Sequence, residues 1–117
     1  MAEQSILDSV KKVLGIAQDY TAFDTDIILN INSCLMILNQ LGVGPDTEFS
    51  ITDSTSTWED FLGDDLSKLN SVRMYVALKT RLAFDPPTSG FTTTSIQNQL
   101  AELEWRLSIK GEELRNA

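Results

Sequence analysis

The sequence contains no histidine and only one cysteine, Cys34. The absence of histidine removes the side chain that most often acts as a catalytic acid or base near neutral pH, and the commonest metal ligand. A single cysteine cannot form an intramolecular disulfide, so nothing indicates an oxidising compartment. Because Cys34 lies among apolar residues of a predicted helix, we interpret it as a buried, unreactive thiol.

Basic residues and long apolar runs are also scarce. Lys and Arg number 9 against 17 Asp and Glu, which gives a net charge of −8. Clustered Lys and Arg supply most of the affinity for phosphate backbones and anionic lipid, so the composition argues against a free-standing nucleic-acid binder and against a membrane-surface protein. The longest apolar run, residues 34–38, is far shorter than the ~20 residues of a membrane span. Lys11 and Lys12 interrupt the first apolar segment, unlike a signal peptide. We expect a soluble protein in a reducing compartment.

The hydrophobic periodicity predicts an all-α fold, a small bundle of four main helices and one short helix. The predicted helices cover residues 6–14, 26–41, 58–62, 64–84 and 95–109. The second is apolar nearly all round, and we expect it to be central. The length of 117 residues suits one domain over residues 1–117.

Several helix ends have sequence signals. Ser5 and Thr57, each followed three residues later by an aspartate, are predicted N-caps. Asp24 or Thr25 is the predicted cap of the second helix, and Leu66 is a predicted core position at the start of the fourth.

Two connections between these helices and the tail after the last one have sequence signals of their own. Residues 42–57 are rich in Gly, Pro, Ser, Thr and Asp and predict a long surface loop between the second and third helices. Loops of this length are unusual in small domains and tend to be functional or disordered. The fourth helix must stop at residues 85–87, because Pro86 and Pro87 lack the backbone N–H and disfavour helix in the residue before them. Gly111 is predicted to end the last helix, which leaves residues 111–117 as a polar tail.

The last predicted helix has one narrow apolar stripe and two notable residues outside it. Ile96, Leu100, Leu103 and Leu107 form the stripe, which we expect to pack on the core. Trp105 and Arg106 lie off the stripe and belong to the residue types most enriched at the energetic centres of interfaces. The alternative is that Trp105 covers the edge of the core while Arg106 pairs with Glu102 one turn earlier.

Three pairs of neighbouring acidic residues are the candidates for a catalytic or metal site: Asp24 and Asp26, Glu59 and Asp60, and Asp64 and Asp65. Residues one or two apart do not share a helix face, and all three pairs fall at predicted helix starts, where acids stabilise the helix dipole. We therefore interpret them as structural and expect no enzyme, no catalytic residue, no metal and no cofactor. The opposing hypothesis, an enzyme using these pairs, predicts a metal dependence that a chelator would reveal.

The charge is unevenly distributed along the chain. Residues 13–67 contain ten acidic residues and no Lys or Arg. Residues 1–65 carry a net charge of −10, with twelve acids and two bases, whereas residues 66–117 carry +2, with five acids and seven bases. The preference of acids for helix starts explains part of this asymmetry. The other explanation is a protein with one acidic face and one mixed face.

Three stretches carry a family resemblance: SILDSVKKVLGI followed by FDTDIILNINSCLMILNQLGVGP, then YVALKTRLAFDPPTS, then LAELEWRLSIKGEE. In this order they resemble the head–tail connector (adaptor, or head-completion) proteins of tailed bacteriophages, in particular of long-tailed phages of Gram-positive hosts. The resemblance covers about 85 of the 117 residues. It is strongest in RLAFDPPTS and the later E-W-R, and weakest in the loop at 43–57.

The resemblance implies a virion protein that assembles in the host cytoplasm. Such subunits form a ring, commonly dodecameric, below the portal protein of the DNA-filled head. The ring extends the DNA channel, helps to retain the genome and offers a surface to a stopper or tail-completion protein. Packaged DNA would pass through without sequence-specific binding, and no membrane is involved. An acidic part of such a ring would repel the sliding DNA while the mixed part meets partners.

Interface candidates are apolar and aromatic residues beyond the needs of a four-helix core, together with Arg106 and the double proline. They are Trp58, Phe61, Phe84, Pro86, Pro87, Phe91, Trp105, Arg106 and Ile109. The double proline is expected to fix the angle between the last two helices, with Phe84 buried beneath it.

The alternative function is a small helical protein- or DNA-binding regulatory module. Its recognition helix would be residues 71–81, which carry Arg73, Lys79 and Arg81. The same segment carries predicted core residues, so these bases also fit the solvent-exposed face of a core helix. The salt dependence of DNA binding would separate the two interpretations.

Overall fold

The structure, a computed structural model, describes residues 5–45, 47, 49–63, 66–84 and 88–116, with side chains described as far as residue 108. In these ranges the regular elements are five helices: α1 (Ile6–Leu14), α2 (Asp24–Gln40), α3 (Trp58–Leu62), α4 (Leu69–Phe84) and α5 (Gly90–Asn116). The described residues form no strand, only an isolated bridge between Ser5 and Thr57. The predicted all-α class, with one short helix, is confirmed.

The starts of α1 and α3 are capped as predicted. The Ser5 hydroxyl accepts a hydrogen bond from the Asp8 amide at 3.3 Å. At α3 the Thr57 hydroxyl accepts from the Asp60 amide at 3.1 Å, and the Asp60 carboxylate accepts from the Thr57 amide at 2.9 Å. This reciprocal pair satisfies two amides that the helix leaves unpaired.

The start of α2 differs from the prediction. The helix begins at Asp24, follows Phe23 and has no side-chain cap. The reason is that the Asp24 carboxylate binds the Lys11 ammonium at 2.9 Å instead of a backbone amide.

The start of α4 also differs, because the helix begins at Leu69 rather than at residue 64. A hydrogen-bonded turn from Leu66 to Leu69 precedes it, with the Leu69 amide 3.1 Å from the Leu66 carbonyl oxygen. Leu66 is therefore outside the helical register and is 37% exposed, so its prediction as a core residue is wrong. Asp64 and Asp65 lie outside the described residues.

Both predicted ends of α5 are wrong, because the helix covers 90–116 rather than 95–109. The Ser89 hydroxyl accepts from the Thr92 amide at 3.3 Å, and the Ser89 carbonyl accepts from the Thr93 amide at 3.0 Å, so the chain is already helical there. At the other end Gly111 does not stop the helix. A glycine inside a helix costs only about 1 kcal/mol relative to alanine, and strong helix formers follow it. Most of the predicted polar tail is thus helical.

The central element is α4, not α2 as predicted. Helix α4 contacts α1, α2 and α5, and α2 also contacts α1. The inward face of α2 is buried and consists of Ile27, Ile31, Cys34, Leu35 and Leu38. Its opposite side is not buried, since Leu29 is 64% and Met36 46% exposed. Helix α2 is therefore amphipathic in its packing although its sequence is apolar on nearly every side.

The predicted loop at 42–57 is fixed to α2 and to the core. Val43 and Ile51 are buried. The Asn32 side chain donates to the Ile51 carbonyl at 3.0 Å and accepts from the Ile51 amide at 2.7 Å. Two turns later along α2, Asn39 donates to the Pro45 carbonyl at 2.6 Å. These bonds satisfy loop backbone groups without any strand and hold the loop over α3.

Candidate assembly surface

Two of the predicted interface residues belong to the core instead. Trp58 and Phe61 are 0% and 1% exposed. The Trp58 indole N–H donates to the Ser9 hydroxyl at 3.2 Å, and the Phe61 ring packs edge-on against Phe49 at 5.3 Å between centroids. Because α3 and the 42–57 loop fold over the core, neither side chain reaches the surface. Their assignment to an interface is corrected accordingly.

The outward side of α5 carries the most exposed aromatic side chains. Phe91 is 85% and Trp105 65% exposed, and exposed Asn98 lies midway between them. Spacings of seven residues place all three on one side of a helix. We call Phe91, Asn98 and Trp105 the outer α5 face.

The opposite side of α5 is the predicted stripe. Ile96, Leu100 and Leu107 are buried, and Leu103 packs half-buried beside them, so the predicted packing of the stripe on the core is confirmed. Trp105 does not cover the edge of the core. Arg106 does pair with Glu102, at 2.6 Å, as the alternative predicted. Both charged groups are more than half exposed, so the pair contributes little stability.

A partly buried hydrogen bond joins α5 to α4. The Tyr75 hydroxyl of α4 donates to the Glu104 carboxylate of α5 at 2.7 Å, and Tyr75 is fully buried. Burial, together with this bond to Glu104, raises the pKa of Tyr75 well above its ordinary range. The phenol therefore stays protonated and keeps donating. The bond joins Glu104, the residue next to Trp105, to the central helix.

A second exposed apolar surface lies on α2. Leu29 and Met36 are separated by seven residues, and exposed Ser33 lies between them. We call these three residues the outer α2 face. The sequence of α2 is apolar on nearly every side. This pattern is equally typical of a central helix and of a helix that leaves one apolar face exposed.

An aromatic cluster joins the α1–α2 connection to the end of α4. The Phe23 ring is 5.7 Å from that of Tyr20 and 5.3 Å, edge-on, from that of Phe84. Phe84 is half-buried, in contact with Phe23. Pro86, Pro87 and the side chain of Ile109 lie outside the described residues.

A buried lysine holds this connection in place. The Lys11 ammonium donates to the carbonyls of Gln18 at 3.0 Å and Tyr20 at 2.8 Å, and pairs with Asp24 at 2.9 Å. Its side chain is 2% exposed. Nothing in the local sequence pattern predicts this role, although Lys11 falls four residues after buried Leu7, on the apolar face of α1.

Two of the candidate catalytic carboxylates have structural partners. Asp24 binds Lys11, and Asp60 belongs to the α3 cap. Among the described residues no three or more His, Cys, Asp or Glu side chains come together as metal ligands would. Cys34 is buried as predicted, and burial raises the pKa of its thiol to about 11. Within the same ranges no helix combines the length and apolar character needed to cross a bilayer.

The candidate recognition helix is the central helix α4. It is packed against three other helices. Arg73 is exposed, but Lys79 and Arg81 are half-buried, and the Lys79 ammonium lies 6.0 Å from the centre of the Tyr75 ring. Packing thus covers two of the three bases in part, which argues against α4 as a recognition helix.

Comparison with known proteins gives one clear match. A family model described as phage connector protein matches residues 6–114. The match starts at the first residue of α1 and ends inside α5, so it includes every helix of the fold. No curated protein and no solved structure matches the chain.

Proposed function

The chain belongs to the phage connector protein family, and we propose that it is the subunit of a ring that lies below the portal protein and continues the DNA channel. The family supports a structural role at the head–tail junction and a place in the virion. The ring, its position and its contacts with portal and with a stopper or tail-completion protein are the proposal. We also propose that residues 1–117 act as one domain without enzymatic activity.

One observation carries the proposal: the subunit exposes two different apolar helix faces. The outer α2 face and the outer α5 face belong to helices that pack on α4. A ring of identical subunits requires a head-to-tail contact, in which one patch meets a different patch of the neighbour. Exposed Phe91 and Trp105 on one helix, and exposed Leu29 and Met36 on another, are the candidates for two such patches.

The charge distribution supports passage of DNA without binding. Residues 13–67 contain ten acids and no base, and Asp19, Asp53 and Glu59 among them are exposed. Acidic surface near the axis would repel the phosphate backbone and keep the DNA free to slide. We therefore expect no measurable affinity for duplex DNA at physiological salt.

The mass of the protein in solution tests the proposal. We expect native mass spectrometry to show a monomer of the free subunit at low concentration and a closed ring, with a dodecamer as the leading expectation, after mixing with the portal protein of the same phage. A ring of another number would leave the function intact. A subunit that stays monomeric with the portal present would contradict it.

A further inference from the structure

We propose that neighbouring subunits join through the outer α5 face of one copy and the outer α2 face of the next, with the two helices antiparallel. In this arrangement Asn98 lies opposite Ser33. The rings of Phe91 and Trp105 lie on either side of the pair Leu29 and Met36. This inference rests on the proposed ring and specifies which surfaces close it.

The placement of the two helices fits a head-to-tail contact. Helices α2 and α5 each pack on α4 rather than mainly on each other. Their outward faces lie opposite their buried sides, so each points away from the central helix. One subunit therefore offers two distinct surfaces, and repeating the same contact generates a ring or an open helix.

The sizes of the side chains are complementary along the two faces. On α5 the large residues lie at the ends, about 21 Å apart, with small exposed side chains such as Thr94 and Ala101 between them. On α2 the large residues are about 10 Å apart around Ser33. Centring Ser33 on Asn98 brings Met36 near Thr94 and Ser95, and Leu29 near Ala101 and Glu102. Three of these four neighbours are small, so the large α2 side chains fit between the two aromatic rings, with the Glu102 carboxylate at the exposed edge of the contact.

Charge selects the antiparallel direction. Exposed Asp26 precedes Ser33 by seven residues, and Trp105 follows Asn98 by seven. In the antiparallel alignment Asp26 thus lies opposite Trp105, with Arg106 adjacent and its partner Glu102 about one turn away. Arg106 is 67% exposed, so its guanidinium can bind Asp26 while it keeps Glu102. In the parallel alignment Asp26 would face the start of α5, where residues 88–101 contain no basic residue.

Cysteine cross-linking in the assembled ring tests this contact. A short bis-maleimide reagent would be added to the Ser33→Cys/Asn98→Cys double variant, to each single variant and to the unmodified protein. Both positions are exposed and leave the four large side chains intact. The native Cys34 is buried, with its thiol pKa raised to about 11, so it should not react.

We expect the Ser33→Cys/Asn98→Cys variant to give a ladder of covalent oligomers up to the size of the ring. Neither single variant nor the unmodified protein should give one. Mixing the two single variants should give dimers and no longer ladder, because each link needs one cysteine of each kind. The Gln40→Cys/Ser95→Cys variant should also form a ladder, since only the antiparallel alignment brings these two exposed positions near each other. The matched control is Ser33→Cys/Met74→Cys, whose second cysteine is exposed on α4 outside both faces and should give none.

The outcomes separate this contact from the ring itself. A ring of normal mass without cross-links in the Ser33→Cys/Asn98→Cys variant would overturn the pairing and leave the proposed function standing. Cross-linked dimers of a single variant would also overturn it, because they show a symmetric contact between equal faces. If Ser33→Cys/Asn98→Cys forms a ladder and Gln40→Cys/Ser95→Cys does not, the antiparallel direction is overturned. Absence of any ring with the portal would contradict the proposed function.

Discussion

The two tryptophans mark two regions that use aromatic side chains in opposite ways. Trp58 is fully buried, in the region from α1 to α3, where a hydrogen bond to Ser9 and the anchored 42–57 loop enclose it. Trp105 is 65% exposed on α5, opposite the stripe that holds this helix to the core. The first region contributes to stability and the second presents a surface. A substitution in either should therefore affect one property and spare the other.

The largest loss of stability is expected for Trp58→Ala. Truncating a buried tryptophan removes its apolar contacts and leaves a cavity, which costs about 3–5 kcal/mol of unfolding free energy. Urea denaturation followed by circular dichroism measures it. Trp58→Phe is the matched control, because it retains most of the apolar volume and should lose less. A loss below about 1 kcal/mol for Trp58→Ala would show that the first region does not depend on its core aromatics.

The next largest loss is expected for Lys11→Met. This change leaves the carbonyls of Gln18 and Tyr20 without their donor and Asp24 without its cation. Hydrogen bonds to a charged group contribute about 1.5–3 kcal/mol, and we expect a loss of that size in urea denaturation. The control is Lys12→Met, because Lys12 is the exposed neighbour and should change stability by no more than about 0.5 kcal/mol. Equal effects of the two variants would contradict the role assigned to Lys11.

A smaller loss is expected for Gly44→Ala in the 42–57 loop. Gly44 has φ +93°, and a Cβ atom there would lie 2.6 Å from the Phe61 ring. Gly15→Ala is the control, since it also has a positive φ, +78°, but no atom within 4 Å of the added carbon. The strained backbone should cost both variants about 1–2 kcal/mol, and the contact with Phe61 should cost Gly44→Ala more. Equal thermal shifts would show that the loop moves away from Phe61 freely.

Local signals in the sequence predicted much of the fold. The Ser5 and Thr57 caps, the bounds of α1 and α3 and the stripe on α5 all depend on residues three or four apart, whose interactions a sequence displays directly. The start of α5 also has a local cause, but Ser89 lies in a polar stretch whose composition fits a loop equally well.

The remaining errors have a tertiary cause. The burial of Phe61 depends in part on contacts with Phe49 and Gly44 of a loop that Asn32 and Asn39 tie to α2, and Trp58 bonds Ser9 of α1. Lys11 is buried only because carbonyls nearly ten residues later turn back towards it. Periodicity cannot show which apolar side of α2 remains uncovered, since that depends on how many helices surround it.

The least effect on stability and the greatest on assembly are expected for Trp105→Ala. An exposed side chain removed from a helix should change the unfolding free energy by no more than about 0.5 kcal/mol. If the outer α5 face closes the ring, the same change should weaken assembly by about 2 kcal/mol, roughly 30-fold in affinity. Gln99→Ala is the matched control, because Gln99 is exposed on the same helix but outside the outer face.

The most direct test measures ring formation against subunit concentration, with portal present, for the unmodified protein, Trp105→Ala and Gln99→Ala, beside urea denaturation of all three. The account predicts three nearly equal unfolding curves and a requirement for roughly 30-fold more Trp105→Ala subunit to reach half assembly. A Trp105→Ala protein that assembles like the unmodified one would contradict the role of the outer α5 face. One that unfolds about 3 kcal/mol more easily yet assembles normally would place Trp105 with the core.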